Sequence, residues 1–139
     1  MKWKTILLRA VIICVIMGTV AIILRICRGQ WITPSQVQRV EFWGPSSCEG
    51  PEPSKFELSD SEIRTLVSHF RHAAYAGKVN GENCDHEFSF VIYLTDGTKI
   101  SAREAAAPRI YVKPPHAEAY WIRSKSLTNY AKKLIQQHQ

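Results

Sequence analysis

The residues of this chain best suited to bind a metal ion are His69, His72, Cys84 and His86. His69 and His72 lie three apart on a predicted helix, whereas Cys84 and His86 flank the start of a predicted strand. Thiolate and imidazole groups are ligands of zinc and copper. The spacing matches no compact zinc pattern, however, and a helical wheel turns His72 toward solvent. We therefore predict no metal site or cofactor and keep these residues as a weak alternative.

Catalytic chemistry is also poorly supported. Cys84 and His86 share one face of a strand and could form a nucleophile–base pair, but the neighbouring Asp85 and Glu87 would raise the pKa of the thiol. No glycine-rich phosphate loop or GxSxG motif accompanies them. The carboxylates that could do acid–base work occupy predicted loops and helix caps: Glu49, Glu52, Glu57, Asp60 and Glu62. The sequence predicts no catalytic residue and no cofactor-binding residue.

Cys48 and Cys84 are instead the candidate pair for a disulfide. Both lie in predicted loops rich in glycine, proline and asparagine. In an oxidising compartment they would form a disulfide worth about 3–4 kcal/mol on the chain-entropy account. In the cytosol both are expected to be free thiols, so this prediction depends on which side of the membrane the domain occupies.

The N-terminal residues predict a transmembrane helix over Ile6–Leu24. The segment is almost unbroken in its apolar character and would form about 28 Å of helix, close to the thickness of a hydrocarbon core. Arg9 interrupts it within one turn of its end, where a long side chain can reach the headgroups. Trp3 and Trp31 lie where interfacial aromatic anchors are expected. Residues 1–28 therefore form an anchor of the signal-anchor type.

Three other interpretations of this segment compete with the membrane helix. A signal peptide cleaved after Ala21 is conceivable, but the apolar run continues through Ile22, Ile23 and Leu24. A lipidated cysteine is disfavoured because bulky isoleucines precede Cys14 and Cys27. A buried helix of a soluble domain rarely contains so long an apolar run bracketed by arginines. Among these, a single-pass membrane helix is the interpretation we prefer.

The flanking charges bear on orientation. Lys2, Lys4 and Arg9 precede the apolar core, whereas Arg25 and Arg28 follow it. The positive-inside rule then gives a slight preference for a cytoplasmic N-terminus. We expect the domain on the extracytoplasmic side of the membrane.

The distribution of charge argues against nucleic acid as a partner. The chain has a net charge of +6, but residues 1–28 contain five basic and no acidic side chains, which leaves +1 for the remainder. A domain that neutralises many phosphates needs its surplus charge on its folded surface. Residues 29–98 carry −5 and residues 99–139 carry +6. The two halves either interleave and cancel or form a basic face for anionic lipids or an acidic partner, built from Arg103, Arg109, Lys113, Arg123, Lys125, Lys132 and Lys133.

The remaining residues predict one α+β domain over 37–139, joined to the anchor by a tether over 29–36. Alternating apolar residues predict five to six strands, with a hairpin at Asp96-Gly97. The predicted element order is ββαββββα, an antiparallel sheet with two helices on one face. The predicted strands are 37–43, 55–58, 86–95, 98–103, 110–113 and 119–123.

The first helix has the clearest local signals. Ser59 and Glu62 fit a capping box at its start, and Gly77 is a natural stop. One apolar stripe is predicted to face the sheet, formed by Ile63, Leu66, Val67, Phe70 and Ala74. The C-terminal helix has a similar stripe, formed by Leu127, Tyr130, Ala131, Leu134 and Ile135.

The second face of such a sheet needs an explanation. Val91, Tyr93, Tyr111 and either Tyr120 or Trp121 are predicted to line it, as a binding platform or as ordinary strand residues. From these features we expect a membrane-tethered, non-enzymatic interaction module that binds a protein or envelope component, with the Gly44–Pro53 loop and the basic C-terminal half as candidate surfaces. The alternative is a small metal-binding or thiol-redox protein that uses Cys48, Cys84 and His86.

Overall fold

The computed structural model describes residues 2–27, 32–79, 81, 85–106 and 108–139. A long N-terminal helix is followed by a seven-stranded antiparallel sheet and two further helices, which confirms the α+β class. The elements are α1 (Lys2–Cys27), a 3-10 turn (Pro34–Gln36), β1 (Val37–Trp43), β2 (Lys55–Glu57), α2 (Asp60–Arg71), β3 (Ala74–Lys78), β4 (Ser89–Leu94), β5 (Lys99–Ala106), β6 (Arg109–Lys113), β7 (Tyr120–Arg123) and α3 (Lys125–Gln137). The strand order across the sheet is β2-β1-β4-β5-β6-β7-β3.

The predicted strand count was too low because β3 was missed. Gly77 was predicted to stop α2, but α2 ends at Arg71, and Gly77 lies inside β3 with a φ of +117°. Ala74, predicted to lie on the buried stripe, is an exposed residue of β3. This strand pairs with β7, far along the chain, with a register shift between Tyr75 and Gly77. Its sequence, AYAGK, contains one strand-favouring residue, Tyr75, among alanine, glycine and lysine, and so gives little local strand signal.

The start of β4 also differs from the prediction. The strand was expected from His86, but it begins at Ser89. His86 forms an isolated antiparallel bridge with Ser46, which lies in the loop between β1 and β2. The two backbone hydrogen bonds of this bridge are 2.9 and 3.0 Å long. The bridge therefore ties that loop to the segment before β4.

One hydrophobic core joins the two helices to one face of the sheet. Ile63, Leu66, Val67 and Phe70 of α2 are buried, as predicted. In α3 the predicted stripe is also buried, except that Tyr130 is half-buried and Thr128 joins the buried side. The strands contribute every second residue to the same cluster: Val40, Phe42, Phe90, Ile92, Ile100, Ala102, Ile110, Val112, Tyr120 and Ile122.

The helix α1 is exposed wherever its side chains are described, and its apolar residues do not enter the core. This excludes the interpretation of a buried core helix. α1 is long and apolar enough to cross a membrane. Within the segment predicted as a tether, Ile32 is only 5% exposed and belongs to the core. Four residues, 28–31, thus separate the end of α1 from the first core side chain.

A contact between the start of α2 and the end of α3 stabilises the start of α2. The predicted capping box is present, with the Ser59 amide donating to Glu62 Oε2 at 2.8 Å. The other oxygen of Glu62 lies 2.8 Å from Nε2 of His138, whose ring stacks on Phe56. Burial alone would raise the pKa of Glu62, but hydrogen bonds from Ser59 and the contact with His138 outweigh it and lower the pKa. Glu62 therefore binds His138 best when its carboxylate is ionised. Through His138, which stacks on Phe56, it connects α2 with the end of α3 and with β2.

This contact predicts a pH dependence of stability. Because the pKa of Glu62 is lower in the folded state, its contribution is complete above its unfolded pKa and is lost as the pH falls through the folded value. Glu62→Gln retains a capping side chain but cannot ionise. We expect the variant to be about 0.5–2 kcal/mol less stable above about pH 5 and this difference to shrink as the pH falls below the unfolded pKa of about 4.3.

Urea unfolding of the full chain in nonionic detergent, repeated from neutral to acidic pH, measures this difference. Glu118→Gln, in an exposed loop between β6 and β7, is the matched control and should follow wild type throughout. A stability difference between Glu62→Gln and wild type that did not shrink on acidification would contradict the role assigned to Glu62.

Candidate interaction surface

The side of the sheet that faces away from the helices, here called the open face, is formed by the alternate residues of the strands. The register aligns Trp43 with Ser89, then Arg103, Tyr111 and Trp121, across five strands. The open face also contains Arg39, Glu41, Lys55, Glu57, Val91, Tyr93, Lys99, Ser101, Arg109, Lys113 and Arg123. Trp121 belongs to this face, whereas Tyr120 is buried on the core side. This decides between the two aromatic residues that the sequence left open.

One end of the open face is a closed polar network. Glu41 accepts hydrogen bonds from Arg39, from Lys55 at 3.2 Å and from the Tyr93 hydroxyl at 3.1 Å. Burial acts to raise the pKa of Glu41, but these three partners outweigh it and lower the pKa. Arg39 also lies over the ring of Tyr93 at 4.0 Å. The charge of Glu41 is therefore satisfied within the domain.

The other end of the open face is built from stacked arginine and aromatic side chains. The guanidinium of Arg103 lies 4.6 Å from the centre of the Tyr111 ring, and that of Arg109 lies 4.8 Å from the Trp121 ring. The two rings meet edge to face at 5.9 Å. Such cation–π contacts stabilise a cation over an aromatic ring and limit its motion. The arginines of β5 and β6 therefore favour positions over these rings.

Arg123 and Lys113 are two further cations at this end of the open face. Arg109 and Arg123 are direct cross-strand partners in the β6–β7 ladder, and both are exposed. Like charges placed directly opposite one another in a sheet are unfavourable. Lys113, also exposed, lies on the same face of β6 as Arg109 and Tyr111. Among the described residues of the open face, the acidic ones are Glu41 and Glu57, at the opposite edge of the sheet.

The predicted basic set is thus divided between two sides of the domain. Arg103, Arg109, Lys113 and Arg123 lie together on the open face. Lys125, Lys132 and Lys133 belong to α3, on the other side of the sheet. Lys99, which pairs with Tyr93 on the open face, was not singled out from the sequence. The alternation of β5 was the signal that could have placed it there.

The predicted metal and thiol residues do not form a centre in the part of the chain that is described. Within residues 2–27, 32–79, 81, 85–106 and 108–139, no group of three or more potential ligands occurs. Nδ1 of His72 lies 2.7 Å from the backbone oxygen of Ser68, and His69 packs against Tyr130. Cys84 lies outside the described residues, so both the disulfide with Cys48 and the metal-binding alternative stay predictions.

The second predicted surface, the Gly44–Pro53 loop, borders a cleft. The cleft has a volume of about 800 Å³ and lies between the loop, the residues around His86 and the side chain of Lys132. Glu104, which is 3% exposed, forms part of its wall. The Cys48 amide donates to Oδ1 of Asp85 at 3.2 Å. This hydrogen bond and the Ser46–His86 bridge hold the loop beside the segment that follows Cys84.

Comparisons of the chain with protein-family models, with curated proteins and with solved structures find no match.

Proposed function

We propose that this protein is a membrane-tethered, non-enzymatic interaction module, and that the open face of its sheet binds a protein or envelope component. The observation that carries the proposal is the one-sided construction of the sheet. Its core side is covered by α2 and α3, whereas the other side presents half-buried aromatic rings beside exposed arginines and lysines. Aromatic and arginine side chains are enriched in the energetically important parts of protein interfaces.

The chemistry of the open face supports binding rather than catalysis. Its ionisable groups are mainly arginine and lysine, whose N–H donors bind carboxylates and phosphates. The carboxylate of Glu41 is engaged by three partners that favour its ionised form. Such groups recognise charge and shape, so we assign the face a binding role.

The N-terminal helix supports tethering at a membrane. Its apolar side chains are exposed in the part whose burial is described, residues 2–22, and four residues separate its end from the core residue Ile32. At about 3.3–3.6 Å per extended residue, the first core side chain lies within about 20 Å of the end of α1. The domain is thereby kept close to the bilayer. The flanking charges favour an extracytoplasmic domain.

An oxidising compartment would also allow the proposed Cys48–Cys84 disulfide. The amide of Cys48 contacts Asp85, the residue next to Cys84, which supports the proximity of the two cysteines. The disulfide would then fix the Gly44–Pro53 loop to the segment before β4. In this proposal the loop is a secondary surface and the open face is the principal one.

Site-specific photo-crosslinking in native membranes tests the proposed function. A photoreactive phenylalanine analogue replaces Ser101, at the centre of the open face, or Asn129, an exposed residue of α3. We expect a discrete crosslinked product from position 101 and not from position 129. Equal products at both positions, or none at position 101, would contradict the proposed function.

A further inference from the structure

We infer that Arg109 and Arg123 form a carboxylate-binding pair that receives an acidic polypeptide segment of the partner, an inference that rests on the proposed function of the open face. The two arginines oppose each other across β6 and β7 and are both exposed. Cβ atoms of such cross-strand partners lie about 4.5–5.5 Å apart, so the like charges repel in the isolated domain. An anion placed between them removes this repulsion and gains from both charges.

The geometry of the pair suits carboxylates. Arg109 lies over the Trp121 ring, with its guanidinium carbon 4.8 Å from the ring centre. A guanidinium in this position still has N–H donors that can form two parallel hydrogen bonds to a carboxylate. Arg123 follows Trp121 by two residues on β7 and therefore lies on the same face. The pair offers two such donors within one short stretch of sheet.

The surrounding charge favours a partner with several acidic side chains. Lys113 lies two residues from Tyr111 on β6, and Lys99 lies farther along the same face. The cations are therefore spread along the sheet rather than concentrated at one point. An extended polypeptide, with a side-chain repeat on one face of about 6.6 Å, can place successive carboxylates along such a surface. We infer a segment rich in aspartate or glutamate.

The other polyanions fit less well. The chain enters the domain from α1 through Ile32, which lies in the core, and through the 3-10 turn, which contacts α2. The described chain thus enters the domain on its helix side, away from the open face, which favours an acidic polypeptide over lipid headgroups as the occupant. A nucleic acid needs a large net positive charge, whereas the chain beyond residue 28 carries only +1. Stacking of sugars or bases needs open ring faces, and Arg109 covers one face of Trp121.

Binding of a labelled glutamate oligomer to the full chain in nonionic detergent, measured by fluorescence anisotropy, tests this inference. We expect wild type to bind and R109Q/R123Q to bind about tenfold more weakly, a change of about 1.4 kcal/mol. R109K/R123K retains the charge but loses the paired donors, and we expect a loss of about threefold. K132Q/K133Q removes the same charge from α3 and should bind within about twofold of wild type.

Three outcomes would overturn the inference. They are no binding of the glutamate oligomer by wild type, an equal loss in K132Q/K133Q, and tighter binding of a single-stranded oligonucleotide or of anionic-lipid nanodiscs that depends on the same arginines. R123Q, which leaves the Arg109–Trp121 contact in place, should lose about threefold and keeps the test valid if the double variant misfolds. Capture of a partner from position 101 without glutamate binding would leave the proposed function standing and refute only the carboxylate pair.

Discussion

Ile13→Asp combined with Ile16→Asp should release the protein from the membrane. Both positions lie near the middle of the apolar segment of α1, and the isoleucines are exposed on its surface. An aspartate at the centre of a membrane helix costs about 2.5–3.5 kcal/mol, whereas isoleucine favours insertion slightly. Two such changes oppose insertion by about 6 kcal/mol in total. This is the largest effect of a substitution that we expect anywhere in the chain.

Flotation of cell membranes in a density gradient after alkaline extraction measures the release. Wild type and the control Ile13→Leu/Ile16→Leu should float with the membranes, and the double aspartate variant should not. Intact mass of the floated protein distinguishes an anchor, which retains residues 1–21, from a signal peptide cleaved after Ala21. Membrane tethering by α1 would be contradicted by a wild-type protein that does not float, or by an intact mass that corresponds to a chain starting at Ile22.

Phe70→Ala should destabilise the domain by about 3–5 kcal/mol. Phe70 is completely buried between α2 and the sheet, where its ring meets the edge of Phe90 at 6.1 Å. Phe90 in turn packs against Phe42 and Phe88. Truncation leaves a cavity that the surrounding rings cannot fill, and the loss combines transfer and cavity terms. Since small domains are stable by about 5–15 kcal/mol, the change removes a large fraction of the total.

Urea unfolding of the full chain in nonionic detergent, followed by tryptophan fluorescence, measures this loss. Tyr75→Ala is the matched control, because Tyr75 lies on the edge strand β3 with 42% of its surface exposed. We expect the control to cost about 1–2 kcal/mol, clearly less than Phe70→Ala, because it loses the contact of its ring with Tyr120 at 5.8 Å. A loss below about 1 kcal/mol for Phe70→Ala would show that α2 does not pack on the sheet through this residue.

Local sequence patterns predicted most elements of this fold because their signals lie within a few residues. The Ser59–Glu62 capping box marks the start of α2, and the turn at Asp96-Gly97 joins β4 to β5. Strand β3 has no comparable signal. It forms because β7 offers a free edge late in the chain, and helix-forming alanines with a glycine stop suggested a continuation of α2 instead.

The candidate surface was predictable in its composition but not in its arrangement. The sequence identified Arg109 and Arg123 as members of a basic set, and it predicted separately that Tyr111 and either Tyr120 or Trp121 line the second face of the sheet. Whether Tyr120 or Trp121 faces outward depends on the register of β7, which is fixed by pairing Tyr111 with Trp121. The same register makes Arg109 and Arg123 direct cross-strand partners. Charge counts along the chain cannot give it, because they contain no cross-strand information.

Binding through the open face is tested most directly by the yield of crosslinked product from position 101 in native membranes, compared between the wild-type background and R109Q/R123Q. We expect a discrete product in the wild-type background and a yield about tenfold lower in the variant at limiting partner concentration. An equal yield in both backgrounds, or a product that appears equally from position 129, would contradict the claim that this domain binds its partner through the arginine-bearing open face.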